Sequence, residues 1–357
     1  MNPEPDVVCP AAIRFSAILI FLYCLPAQGQ VEDKLVRHEA SHDAMGTVFT
    51  IVSYGREARF LAQVANEAFD EIDSLDAQMS HYKVESELSR INRRAAHEPV
   101  LVEPRLFALI AKALRFSQES EGAFDITVGP LMKAWGFFRG VARVPPRGEL
   151  ARVMKRVGYR HIQLDDKQRT IRFAVDGLEL DLGGIAKGYA VDRAVDILRA
   201  NGVNSALVSS GASSIYALGA PPGERAWRVN LRDPFEKQKV ADVVRLKDYS
   251  LSVSGSYEKF FTLKGRRYSH ILDPRTGRPV QGVLMTTVFA PRALDSDALS
   301  TTFFVMGAQR ARALLANYPN VSLLVYEPTP APRSFRRIRA QSTEFTLPPE
   351  SVAELER

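Results

Sequence analysis

Asp297 and Thr301 stand four residues apart in Asp295-Ser296-Asp297-Ala298-Leu299-Ser300-Thr301. On a helix that spacing sets a carboxylate and a hydroxyl on one face, one turn apart. Two hard oxygen donors side by side suit Mg²⁺, which keeps waters and leans on substrate phosphates. An acidic helix start followed by an ordinary threonine reads the same way. A second group is Leu180-Asp181-Leu182-Gly183-Gly184-Ile185-Ala186-Lys187-Gly188. Here an apolar run ends at an acid, glycines follow, and a lysine precedes a helical pattern. Glycines admit an anion to the backbone, a helix start aims N–H groups at it, and Lys187 adds charge. The order of residues is not G-x-x-x-x-G-K-[ST], so a P-loop is not implied. A plain strand-to-helix turn with a surface lysine is the alternative.

His270 supplies a third chemistry. It precedes Asp273-Pro274-Arg275-Thr276-Gly277, turn residues that would present it at a fixed place. An imidazole is a natural general base near neutral pH, although a packed histidine is equally compatible with the letters. Gly122-Ala123-Phe124-Asp125-Ile126-Thr127, with Trp135 and Phe137 downstream, puts one acid among glycine and aromatic residues, as a flat ring ligand would want. Tyr82, in Ser80-His81-Tyr82, could stack on such a ring or simply cover core. Ser256-Tyr257-Glu258-Lys259 matches the S-x-x-K of serine acyl enzymes, but no S-D-N or K-T-G partner accompanies it.

These residues need elements to hold them. Apolar spacing predicts helices over 58–79, 106–120, 147–157, 189–200, 295–306 and 309–317, with a polar stretch over 80–92. Alternation predicts strands over 45–54, 161–164, 170–175, 178–182, 205–209, 214–218, 227–231, 240–246, 250–254, 260–263, 284–290 and 321–326. Strands and helices do not alternate strictly, which argues for an α+β fold with largely antiparallel sheet rather than a doubly wound one. No internal repeat or linker divides the pattern, although two packed lobes remain open.

Of the 357 residues, 46% are hydrophobic and 25% charged, an ordinary globular balance. The net charge of +6 is scattered among acids, with no basic run that would suit a nucleic-acid groove. Residues 13–25 are apolar and lead to Pro26-Ala27-Gln28-Gly29, which reads as a signal peptide over 1–29 or, alternatively, a retained anchor. The only cysteines, Cys9 and Cys24, fall inside it, so a processed chain would have no disulfide and no thiol chemistry. Residues 30–44 are a lead-in, and 328–357 a polar, proline-bearing tail.

Taken in order, Met45-Gly46-Thr47, Ser80-His81-Tyr82 with Ser86-Glu87-Leu88-Ser89-Arg90-Ile91-Asn92, the Gly122 segment, the Leu180 segment, His270-Ile271-Leu272-Asp273-Pro274-Arg275-Thr276-Gly277 and Asp297-Ala298-Leu299-Ser300-Thr301 resemble the ApbE family of FAD:protein FMN transferases. The resemblance runs from about Met45 to about Val325, within a domain read as 45–327. It implies a T-fold-related architecture with an FAD/Mg²⁺ pocket between lobes. It also implies movement of FMN from FAD to a threonine hydroxyl of an acceptor flavoprotein, with release of AMP. By position, Met45, Tyr82, Ala123, Phe124, Asp125, Asp181, Lys187 and Leu272 would contact FAD. Asp297, Thr301 and the Gly184 carbonyl would hold Mg²⁺, and His270 would be the base. The family acts mostly outside the cytoplasmic membrane, which implies an exported, periplasmic or membrane-anchored protein. A Mg²⁺-dependent FAD pyrophosphatase and an exported flavin-binding protein are the competing functions. One departure stands out: Ser210-Gly211-Ala212-Ser213-Ser214 lacks the acid or amide of the usual G-G-D or G-G-N, leaving Ser213 or Ser214 as a substitute donor.

Overall fold

The computed structural model describes residues 35–138, 141–236, 238–342 and 352–355. The leader expected over 1–29 lies outside them. The apolar stripe Leu61, Val64, Ala65, Ala68, Phe69, Ile72, Leu75 and Met79 makes α1 (Ala58–Met79), the bounds its periodicity gives. The polar stretch that follows is helical too: Ser86 accepts a hydrogen bond from the Ser89 N–H and starts α2 (Glu87–Arg94). Pro104 opens α3 (Pro104–Glu119), capped by the Glu103 carboxylate. The short helices α4 (Gly129–Ala134) and α5 (Arg147–Met154) come next, then α6 (Ala186–Ala200) and α7 (Ala293–Leu315). α7 carries a kink at Gly307, whose φ of 71° and ψ of 165° are not helical, which accounts for the two helical patterns in its sequence.

Eight strands form the main sheet, every neighbouring pair antiparallel. In spatial order they are Val36–Ala44, Thr47–Gly55, Ala206–Ser210, Ser214–Leu218, Tyr249–Gly255, Met285–Ala290, Ser322–Pro328 and Phe335–Gln341. Spatial order is therefore chain order, and everything else is inserted between neighbouring strands. On one face, Phe49, Ile51, Val208, Val288, Leu323 and Val325 pack with α1, α6 and α7. The alternate residues Leu251, Met285, Phe289, Leu324 and Tyr326 face a three-stranded sheet that contributes Trp227, Val229, Val244 and Leu246. The layers are thus helix, large sheet and small sheet. Residues from Leu35 onward form one compact unit.

Three expectations need correction. The lead-in contains the first strand, Val36–Ala44, joined to its neighbour by the two-residue turn Met45-Gly46, both at positive φ (49° and 70°). The polar tail supplies the sheet's last strand, Phe335–Gln341, and Val352–Leu355 pairs with Val240–Lys247 in the small sheet. Polar composition hid both because an edge strand exposes one face to water. Finally, 178–182 is buried and extended but joins no ladder. Its backbone partner is a side chain: Asn92 Nδ2 donates to the Leu180 carbonyl at 3.0 Å, and Asn92 Oδ1 accepts from the Leu180 N–H at 2.7 Å. The Asp181 N–H adds a bond to the Ile126 carbonyl at 2.7 Å.

Candidate active site

A cavity of about 800 Å³ opens at one end of the main sheet. Each of the twelve expected site residues lines it, though they come from six separate chain segments. Met45 arrives on the positive-φ turn between the first two strands, with Thr47 beside it. Positive φ is uncommon away from glycine, and here it sets Met45 in the cavity wall. Ala123, Phe124 and Asp125 come from the loop after α3, Asp181, Gly184 and Lys187 from the junction into α6, His270 and Leu272 from just beyond the hairpin of Phe260–Leu263 and Arg266–Ser269, and Asp297 and Thr301 from α7.

The α6–α7 crossing fixes the acidic corner. A Cβ on Gly188 would lie 2.2 Å from the Ala293 carbonyl oxygen and 2.6 Å from the Asp297 Cβ, so only glycine allows the helices this close. The Gly188 N–H donates to Asp297 Oδ2 at 2.8 Å. Asp192, one helical turn on, caps α7 by accepting from the Ala293 and Leu294 N–H groups at 2.8 and 3.1 Å, and from Arg292 Nε at 3.1 Å. Burial pushes the Asp297 carboxyl above its usual range, against the Lys187 charge and the Gly188 N–H. The buried Ser214 hydroxyl faces the same carboxylate, and its neighbour Ser213 lines the cavity.

This arrangement revises the expected anion cradle. The Ile185 and Ala186 N–H groups both bond to the Leu182 carbonyl, at 3.0 and 2.9 Å, and Gly188 is engaged by Asp297. The first turn of α6 therefore directs most of its donors inward. Lys187 is the cation it offers the cavity.

Thr301 Oγ1 lies 3.4 Å from Ser254 Oγ, which sits 2.8 Å from Ser300 Oγ. The alternation Ser250, Ser252, Ser254 continues this contact along the sheet: Ser250 and Ser252 meet Ser296 Oγ at 3.0 and 2.7 Å. Small hydroxyl side chains thus seat α7 on the strand and fix the axial position of Asp297 and Thr301. A Cβ on Gly184 would stand 3.6 Å from Thr301 Oγ1, so the glycine turn abuts the hydroxyl. Among the described residues no three His, Cys, Asp or Glu side chains gather into a metal cluster. One buried carboxylate, one hydroxyl and an adjacent backbone turn fit a cation completed by water and phosphate oxygens better than a protein-only cage.

His270 is held at the root of a hairpin. Its N–H and its Nδ1 both lie against the Lys259 carbonyl, at 2.9 and 3.0 Å. A carbonyl only accepts, so Nδ1 carries the proton and Nε2 keeps its lone pair. Desolvation lowers the imidazole to about 4, helped by the charges of Lys187 and Lys259 and opposed by the Lys259 carbonyl. The following turn is tied down by Asp273, which accepts from Arg275 Nε at 2.9 Å and whose carbonyl accepts from the Gly277 N–H at 2.8 Å. Trp135 Nε1 then donates to the Gly277 carbonyl at 2.8 Å.

Asp125 and Tyr82 differ from a simple ligand-contact picture. Asp125 Oδ1 accepts from the Thr127 N–H and hydroxyl, at 2.9 and 2.7 Å, and Oδ2 accepts from the Tyr159 N–H at 2.8 Å. Its carboxylate shapes the loop that forms the wall. Tyr82 stacks on Phe138, 4.6 Å between centroids and 10° from parallel, with His81 4.1 Å from Tyr82. Glu258 and Lys259 also line the cavity. The S-x-x-K letters marked that segment for the wrong chemistry, and Ser256 Oγ is occupied by the Leu284 carbonyl at 3.2 Å.

The profile of the ApbE family matches residues 45–325. An FAD:protein FMN transferase of Treponema pallidum is 35% identical over 323 residues, 85% of this chain and 89% of that one. The crystal structure of an ApbE protein from Thermotoga maritima superposes with a TM-score of 0.78 at 33% identity, covering 85% of this chain and 97% of that one. The flavin transferase ApbE from Vibrio cholerae gives 0.77 at 29% identity, covering 87% and 99%.

Proposed function

This chain belongs to the ApbE family, and on that premise we propose how its cavity carries out FAD:protein FMN transfer. The observation that carries the reading is the meeting of Lys187, His270, Asp297 and Thr301 around one cavity, drawn from three elements far apart in sequence. The cavity receives FAD as substrate. Lys187 attracts the pyrophosphate, Phe124 and Leu272 give apolar wall, and Tyr82 offers a stacking face for the ring or the adenine. Asp297, Thr301 and the Gly184 carbonyl are the group that would hold Mg²⁺. A bound Mg²⁺ would neutralise charge on the pyrophosphate.

The acceptor is a threonine hydroxyl of a target flavoprotein. His270 Nε2 takes the hydroxyl proton as the oxygen bonds to the phosphorus of the FMN half. The bond from that phosphorus to the bridging oxygen breaks, and AMP leaves with the electron pair. Holding the two reactants in line supplies much of the rate. The leader and the cysteine-free remainder support an exported, periplasmic location. No described helix is long and apolar enough to cross a membrane.

The test is incubation with FAD, Mg²⁺ and a threonine-bearing acceptor domain, followed by in-gel flavin fluorescence and AMP analysis. Fluorescent acceptor with AMP in equal amount is the expected result. Free FMN with AMP makes the protein an FAD pyrophosphatase, and intact FAD makes it a flavin-binding protein.

A further inference from the structure

The strands Phe260–Leu263 and Arg266–Ser269 form a hairpin that pairs with no other strand among the described residues. Its root is the catalytic corner. Lys259 precedes the first strand, His270 follows the second, and the His270 N–H closes the ladder on the Lys259 carbonyl. One face is covered: Phe261 and Tyr268 stack at 5.1 Å and pack on Trp135 and Phe137. The other face is open. Phe260 is 41% exposed there, with the Arg267 guanidinium 4.2 Å above its ring.

The charge on this hairpin has one sign. Lys264, Arg266 and Arg267 are exposed, no acid lies between Lys259 and His270, and none of the three forms an ion pair among the described residues. Elsewhere basic side chains are routinely paired, as in Lys133–Glu179, Arg143–Glu149 and Arg105–Glu71. Three unpaired cations close together repel one another, and an incoming anionic surface relieves that repulsion. Both hairpin edges also keep backbone donors and acceptors that an extended chain can use.

We propose that this hairpin is the docking surface for the acceptor protein, and that it selects an extended acceptor segment carrying acidic residues beside the target threonine. The inference rests on the transferase reading above. Geometry favours a protein strand over an anionic membrane. The ladder leads residue by residue to His270, so a chain lying along it delivers a hydroxyl to Nε2. Lys264, Arg266 and Arg267 stand six, four and three residues before His270, roughly 10–20 Å at about 3.3 Å per residue, so the acids they read lie about three to six residues from the threonine.

The experiment uses the full chain and a recombinant flavoprotein domain that the wild type flavinylates. Initial rates are measured against acceptor concentration for wild type and for the triple variant Lys264→Glu, Arg266→Glu, Arg267→Glu. The expected result is an acceptor KM raised at least about tenfold, with FAD affinity unchanged. Salt should weaken the wild type and not the variant. Restoring activity by swapping the acceptor's flanking acids for lysines completes the case. A KM within twofold of wild type overturns the proposal, and so does a parallel loss of FAD affinity. Loss of binding to phosphatidylserine vesicles with KM unchanged overturns it in favour of a membrane. The triple glutamine variant, with its melting temperature, separates charge from misfolding, and is expected to raise KM by a smaller factor. A wild type that transfers to no acceptor refutes the transferase reading instead.

Discussion

At the scale of single residues, the site rests on two groups whose burial moves their protonation in opposite directions. His270 is lowered to about 4, so it is neutral and competent as a base throughout the neutral range. Activity is therefore expected to hold well below pH 6 and to fall only as pH drops toward the folded value. An acid limb near the ordinary 6.5 would show that Nε2 is not the group titrating. Because the unfolded imidazole binds its proton first, His270 also removes folding stability as pH falls from 6.5 to about 4. Replacing His270 by alanine should slow transfer about 10²–10⁴-fold, with FAD titrations unchanged. Asp297 has its carboxyl raised by burial, so acidification weakens any cation bound there. Asp297→Asn keeps the shape at the Gly188 contact and removes the charge. Its transfer rate should drop on the order of 100-fold or more, and raising Mg²⁺ should not restore it.

At the scale of elements, the decisive contact is the crossing of α6 and α7. Gly188→Ala places a methyl group 2.2 Å from the Ala293 carbonyl oxygen. The helices must part, at a cost of about 1–3 kcal/mol, and the Asp297 bond goes with them. Thermal unfolding should reveal the stability loss, and a comparable melting temperature with full activity would show that the crossing tolerates a methyl. Asn92→Leu leaves both backbone groups of Leu180 without their partner and should lower stability by about 1–3 kcal/mol in urea titrations. These two residues mark what the sequence could and could not convey. The i, i+4 pair Asp297/Thr301 and the helix bounds of α1 were legible because they follow from local periodicity. The extended run at 178–182 was legible as apolar alternation. Its partner was not, because a side-chain amide 88 residues earlier in the chain replaces a strand. The glycine of Ala186-Lys187-Gly188 was legible as a need for close approach. What approaches, a second helix instead of a phosphate, depends on a contact 109 residues away.

At the scale of the whole molecule, the sheet is held from end to end by consecutive antiparallel pairs, and its final strand lies in the polar tail. Truncation after Pro328 removes the partner of Ser322–Pro328 and the link from Arg337 to Asp242 in the small sheet. The truncated chain should melt at lower temperature and self-associate in size-exclusion runs, because a buried strand becomes an exposed edge. Unchanged melting and a monomeric profile would show that the tail is dispensable. The meander has a further consequence, in time instead of space. Residues of the cavity wall run from Met45 to Thr301, and the strand beyond α7 is needed to seat that helix. No shorter prefix emerging during synthesis contains the complete pocket. FAD therefore cannot guide the early chain, and the polypeptide must reach nearly its full length before its substrate can help hold it together.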